Sequence, residues 1–99
     1  MTSVETPAAS IVITTYDEDP RYLREAVASA LAQTTAAREI IVVDDGSRVD
    51  NSTVLGRFPT VRVIRQHNQG SASARNTGWR AATSPYVVFL DSDDRLVPD

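Results

Sequence analysis

Lysine and cysteine are both absent from this chain of 99 residues, and histidine occurs once, at His67. Without cysteine there is no disulfide, no thiolate metal site and no cysteine nucleophile. A single histidine also rules out a metal site built from several imidazoles. The ten basic residues are therefore all arginine, and against thirteen acidic residues they leave a net charge of -3. Such a chain lacks the basic surface that would hold a nucleic acid. Long apolar runs are missing too: none exceeds five residues, far short of a membrane helix or a signal-peptide core. Two phosphate-binding signatures are likewise absent. No G-x-G-x-x-G follows the first strand-like segment, which argues against a dinucleotide-binding Rossmann domain, and no G-x-x-x-x-G-K-[ST] loop occurs, which excludes a P-loop nucleotidase.

What is present reads as one small soluble unit, with 41% hydrophobic and 23% charged residues. Met1–Ala9 is polar and small and is expected to be a flexible leader. Ser10–Thr14 is a short β-branched strand, left through the polar loop Thr15–Glu18. Asp19 and Pro20 form a helix start, Asp as N-cap and Pro at the first helical position. Leu23, Ala26, Val27, Ala30 and Leu31 then lie on one helix face, and Gln33-Thr34-Thr35 ends it. Glu39–Asp44 is a second strand, and a weaker helix follows, starting near Asp50 or Asn51, carrying Val54, Leu55 and Phe58, and closed by Pro59. Thr60–Ile64 is a third strand, mixed enough in character to lie near a sheet edge. After the polar turn Gln66–Gly70, Ser71–Thr83 forms a third helix with a small-residue face of Ala74, Gly78, Ala81 and Ala82. Gly46, Gly70 and Gly78 read as structural, two in turns and one at a close contact. Trp79 reads as core and His67 as an exposed loop residue. The order β-α-β-α-β-α-β, with crossovers long enough for parallel pairing, is that of a Rossmann-like α/β unit with a mainly parallel sheet.

The fourth strand, Tyr86–Leu90, organises the rest. Five apolar residues in succession predict a strand buried on both faces, and three carboxylates, Asp91, Asp93 and Asp94, occupy three of the next four positions. The second strand also ends in acid, at Asp44-Asp45-Gly46-Ser47. In parallel sheets ligands bind beyond the carboxyl ends of the strands. Clustered carboxylates raise one another's pKa unless a cation intervenes. Oxygen donors without His or Cys suit magnesium, manganese or calcium, and a phosphate-bearing ligand is the natural partner of such an ion. The plainer alternative for Asp91-Ser92-Asp93-Asp94 is a solvated turn, since Asp and Ser favour turns through local hydrogen bonds.

Several motifs together resemble family 2 glycosyltransferases of the GT-A fold. They are Ser10-Ile-Val-Ile-Thr-Thr-Tyr16, Leu23-x-Glu25-Ala26 with Ser29-x-Leu31-x-Gln33-Thr34, Glu39-Ile-Ile-Val-Val-Asp-Asp-Gly-Ser47, Gln66-x-Asn68-x-Gly70 with Ala74-Arg75-Asn76-x-Gly78, and Phe89-Leu-Asp-Ser-Asp-Asp94. Their order and spacing match that family from Ser10 onward; Thr14 stands where many members have Pro. The resemblance implies a metal-assisted, inverting transfer of a hexosyl or related group from a nucleotide-diphosphate sugar, UDP-type, to a hydroxyl of a saccharide, lipid or other acceptor. It implies that Thr14, Tyr16, Asp44, Asp45, Arg75 and Asp91 meet the nucleotide, and that Asp91, Asp93 and Asp94, the family's D-x-D motif, hold Mg2+ or Mn2+. Residues 10–99 then correspond to the nucleotide-sugar-binding part of the domain, truncated after the fourth strand. The acceptor half and the catalytic base are expected outside this chain, and the fragment alone is expected to be inactive. The implied setting is cytoplasmic, extending to the inner face of the membrane for a full-length protein. In the family's sheet order the fourth strand also pairs with a later one, so its bare edge is expected to drive self-association.

Two other readings compete. A non-catalytic nucleotide-sugar binding module has the same donor site. A receiver-like phosphoacceptor domain also carries paired acids and a later Asp, but such domains use a Lys, which this chain lacks.

Overall fold

The computed structural model describes residues 9–32, 39–56, 58 and 60–92, with Ser52 described for its backbone only. The expected leader up to Ala8, the helix-ending Gln33–Thr35, Pro59, and the acids Asp93 and Asp94 lie outside the described residues. Seven elements follow in the expected order: β1 (Ser10–Thr15), α1 (Pro20–Leu31), β2 (Glu39–Asp44), α2 (Asn51–Val54), β3 (Val61–Arg65), α3 (Ser71–Ala81) and β4 (Val87–Asp91). The sheet order is β3-β2-β1-β4 and every pairing is parallel. β3 is an edge strand, as its mixed sequence suggests.

The two helical faces divide the core. Ile11, Ile13, Ile40, Val42 and Leu90 point to one side of the sheet and pack with Leu23, Ala26, Val27 and Ala30 of α1 and with Leu55. Val12, Ile41 and Val43 point to the other side and pack with Ala74 of α3. β1 and β2 are therefore apolar at successive positions because both their faces are dry. Each fully buried Val, Leu or Ile contributes about 1.5–3 kcal/mol. α1 begins as read, with the Asp19 carboxylate accepting the Arg21 N–H at 2.9 Å. α3 comes close to β1 because Gly78 has no side chain: a Cβ there would fall on Val12 Cγ1. At the opposite end from the acidic tips, Glu39 Oε2 accepts from Ser10 Oγ (2.8 Å), Thr83 N (2.5 Å) and Thr83 Oγ1 (2.6 Å). This latch ties β1, β2 and the α3–β4 connection together.

Four expectations need correction. Val88 and Phe89 of β4 are exposed, so this strand is not buried on both faces. The helices pack mainly over β1 and β2; of β4 Leu90 is buried on the α1 side and Val87 is partly buried on the α3 side, while Val88 and Phe89 lie beyond their cover. Leu31 is exposed because 3.6 residues per turn carry it about a quarter turn from the centre of the apolar stripe. Trp79 is 59% exposed; it follows Gly78 by one residue, about 100° round α3, and so faces away from the sheet. Element ends also shift: β3 and β4 each begin and end one residue later than read, and α3 stops at Ala81.

Candidate functional site

The register of the sheet builds the site. Pairing of β1 with β4 sets Thr14 beside Asp91, 77 positions away in sequence, and the Thr14 hydroxyl donates to Asp91 Oδ1 at 3.2 Å. Pairing of β1 with β2 sets Thr15 beside Asp44. Backbone bonds then carry the ladder past the strand ends: Asp45 N–H to Thr15 O at 2.9 Å, and Ser92 N–H to Thr14 O at 3.0 Å. Above these ends lies a cavity of about 380 Å³, within the range of small-molecule sites. Its walls are Thr14, Thr15, Tyr16 and Glu18 from β1 and its loop, Asp45 after β2, Asn68, Gly70, Ser71 and Ala74 around the start of α3, and Asp91 and Ser92 after β4.

Tyr16 is 54% exposed, an aromatic ring on the cavity wall with no core to fill. Asp91 is exposed on the same wall. Asp45 is different: its carboxylate is buried and fully engaged. Oδ1 accepts from Gln66 Nε2 (2.8 Å) and Gln69 N (2.9 Å), and Oδ2 from Gly70 N (2.9 Å) and Asn68 Nδ2 (3.2 Å). A carboxylate offers about four lone-pair sites, and all four serve the β3–α3 loop. Burial pushes the Asp45 carboxyl up, but the amides of Gln66, Gln69 and Gly70 outweigh it and hold the group below the usual carboxylate range. Gly46 and Gly70, both with positive φ, complete the turns on either side of this contact. A Cβ on Gly46 would stand 2.7 Å from Asn68 N, which explains why glycine follows the acidic pair.

Asp44 lies off the cavity wall. Fully buried, it accepts the Ser47 N–H on Oδ1 (2.9 Å) and Asn51 Nδ2 on Oδ2 (3.0 Å), with Arg65 Nη1 at 3.7 Å. Arg65 in turn donates to Ser47 O at 2.6 Å. Asp44 therefore shapes the β2–α2 loop. Arg75 is half-buried on α3 one turn beyond Ser71 and is not part of the cavity wall. Among the described residues no three carboxylates or imidazoles converge on one point; Asp44 and Asp45 each accept hydrogen bonds from their own local donors. Sequence reading passed over Thr15 and Glu18 as site residues, because nothing in a polar loop says which side chains turn inward. Asn68 and Gly70 were visible only as parts of a motif.

The glycosyl transferase family 2 profile matches residues 10–99. An uncharacterized glycosyltransferase of Escherichia coli (strain K12), YibD, is 38% identical over 94 residues, which cover 90% of this chain and 27% of the relative. Chondroitin synthase of Escherichia coli is 41% identical over 97 residues, 94% of this chain and 14% of that protein. The succinoglycan biosynthesis protein ExoW of Rhizobium meliloti (strain 1021) is 40% identical over 97 residues, 91% and 30% respectively. The chain thus spans less than a third of the length of each of these curated relatives. No helix among the described residues is long and apolar enough to cross a membrane. A parallel sheet of order β3-β2-β1-β4 whose strand ends frame the cavity, and a profile match running from Ser10 to Asp99, lead to the same place: this chain belongs to glycosyl transferase family 2.

Proposed function

We propose that the cavity above β1, β2 and β4 holds the nucleoside diphosphate of a UDP-type sugar donor, and that the chain is the donor-binding part of a glycosyltransferase. The observation that carries this reading is the meeting of Tyr16, Thr14, Asp45 and Asp91 on one cavity at the carboxyl ends of a parallel sheet. Tyr16 offers a ring for the base. The Asn68 amide makes the longest of the four bonds to Asp45, so it is the one a base N–H replaces. Arg75 follows Ala74 of the cavity wall on α3 and reaches the diphosphate by turning its long side chain inward.

The donor set fits a hard divalent ion. Asp91 brings a carboxylate to the wall, and among the described residues Thr14 engages only its Oδ1; Ser92 stands beside it, and Asp93 and Asp94 follow in sequence. Bound there, Mg2+ or Mn2+ supplies Lewis-acid stabilisation of the departing diphosphate. The residues of this chain bind and orient the donor; the base that deprotonates the acceptor hydroxyl in an inverting transfer is assigned to none of them. Relatives named for chondroitin and succinoglycan favour a saccharide acceptor.

Titration calorimetry with UDP, with and without Mn2+, tests the reading. Binding that tightens with the metal is expected, and Asp93→Asn should weaken that binding far more than Asp99→Asn. Equal affinity with and without metal removes the ion from the site, and no binding of UDP in either condition overturns the assignment of the cavity.

A further inference from the structure

The residue after Tyr16 has an unusual backbone. Asp17 has φ of 50°, the one non-glycine residue with positive φ among the described residues. Asp and Asn are the side chains that tolerate this region, because they hydrogen-bond locally. Asp17 turns its backbone and side chain toward the β2–α2 loop, 30 positions away. Its N–H donates to Ser47 Oγ at 2.8 Å, and its Oδ1 accepts the Arg48 N–H at 2.8 Å. The Arg48 guanidinium adds an ion pair at 3.3 Å, but that side chain is largely exposed and contributes little.

The other half of the clasp is anchored in the core. Ser47 is buried, its N–H is held by Asp44 Oδ1, and Asn51 Nδ2 reaches both Asp44 Oδ2 and Ser47 Oγ. A rigid buried chain therefore runs from Asp44 through Ser47 to the N–H of Asp17, the next residue after Tyr16. Asp17 is not on the wall of the cavity that Tyr16 lines; it borders a separate recess with Ser47, Arg48 and Asn51. Two hydrogen bonds on the far side of the loop thus tie the neighbour of an exposed ring to the β2–α2 loop.

We infer that Asp17 is a positioning residue for nucleotide binding: its left-handed backbone and its bonds to Ser47 and Arg48 clamp the β1–α1 loop onto the β2–α2 loop and hold Tyr16 at the cavity wall. This rests on the reading of the cavity as a nucleoside-diphosphate site. It also explains how an exposed aromatic in a loop is pre-organised without packing, since a ring ordered before binding costs less to immobilise on binding.

Three variants separate backbone from clasp. Asp17→Asn keeps both the tolerance of positive φ and the Oδ1 acceptor. Asp17→Gly keeps the backbone and removes the acceptor. Asp17→Ala removes both. UDP affinity with Mn2+ is measured by calorimetry, and exchange of the Arg48 amide hydrogen is followed by NMR. Asn should bind UDP within about twofold of wild type, whereas Gly should bind about tenfold more weakly, the scale of a partly lost aromatic–base stack. The Arg48 amide should exchange faster in Gly and Ala and as in wild type in Asn. Wild-type affinity in Asp17→Gly, or unchanged exchange at Arg48, overturns the inference while leaving the cavity assignment intact. Failure of the wild type itself to bind UDP overturns that assignment and the positioning role with it.

Discussion

Tyr16 and Asp45 border the same cavity but depend on the fold in opposite ways. Tyr16 is exposed and belongs to neither core cluster, so Tyr16→Ala should leave stability within about 0.5 kcal/mol of wild type. It should nevertheless weaken UDP binding by about 1–3 kcal/mol if the ring stacks on the base. Urea denaturation and calorimetry on the same samples check the pair of outcomes; lost binding matched by lost stability would place Tyr16 in the scaffold. Asp45 accepts four hydrogen bonds from the β3–α3 loop. Asp45→Ala should therefore lower both stability, by about 1–2 kcal/mol, and UDP affinity. The acidic pair after β2 was legible in the sequence as chemistry, but its division of labour was not. Adjacent residues on a strand point to opposite faces, and only the packing shows Asp44 turned to Ser47 and Asn51 and Asp45 to the loop after β3.

At the scale of the element, α3 and the strands it covers carry two predictions. Gly78→Ala drives a methyl into Val12, a fully buried side chain with no room to retreat. A loss of about 1–3 kcal/mol in urea denaturation is expected; an unchanged midpoint would mean that α3 can lift off β1 at no cost. The second concerns the Glu39 latch. The Thr83 hydroxyl is the main cause holding the Glu39 carboxyl below its ordinary value, with burial opposing and the Thr83 N–H, Ser10 and Arg62 assisting. Asp45 is depressed likewise. The unfolded chain, with ordinary values of about 4.3 and 3.9, takes up these protons first as pH falls, so the fold loses stability through that range and below. The melting temperature should stay level from about pH 7 to 5 and drop below about pH 4, and Glu39→Gln should flatten the drop. An identical acid profile in Glu39→Gln would show that the latch contributes nothing to it. The periodicity of α1 identified Leu23, Ala26, Val27 and Ala30 as its buried face, because phase along a helix is a local property. Trp79 was misplaced for the converse reason: its size suggested core, but its phase relative to Gly78 points it outward.

For the whole molecule the exposed element is β4. Its outer edge has no partner strand among the described residues, and Tyr86, Val88 and Phe89, the last 45% exposed, leave apolar surface on it. An unpaired edge of this kind templates addition of another chain. The 99-residue chain is therefore expected to self-associate through β4 in sedimentation velocity, with Phe89→Lys shifted toward monomer; a wild type that stays monomeric at high concentration would show that some other part of the chain covers the edge. The sequence by itself determined the element order, the parallel sheet, the apolar faces of β1, β2 and α1, and the family, because these rest on local periodicity and on motif spacing. Only the tertiary structure decided that Val88 and Phe89 of β4 lie beyond the cover of the helices, that Thr14 meets Asp91 across 77 positions, and that Asp17 reaches across to Ser47. Those contacts depend on strand register and loop packing between distant segments, and the energy of a hydrogen bond between two loops leaves no periodic trace in either one.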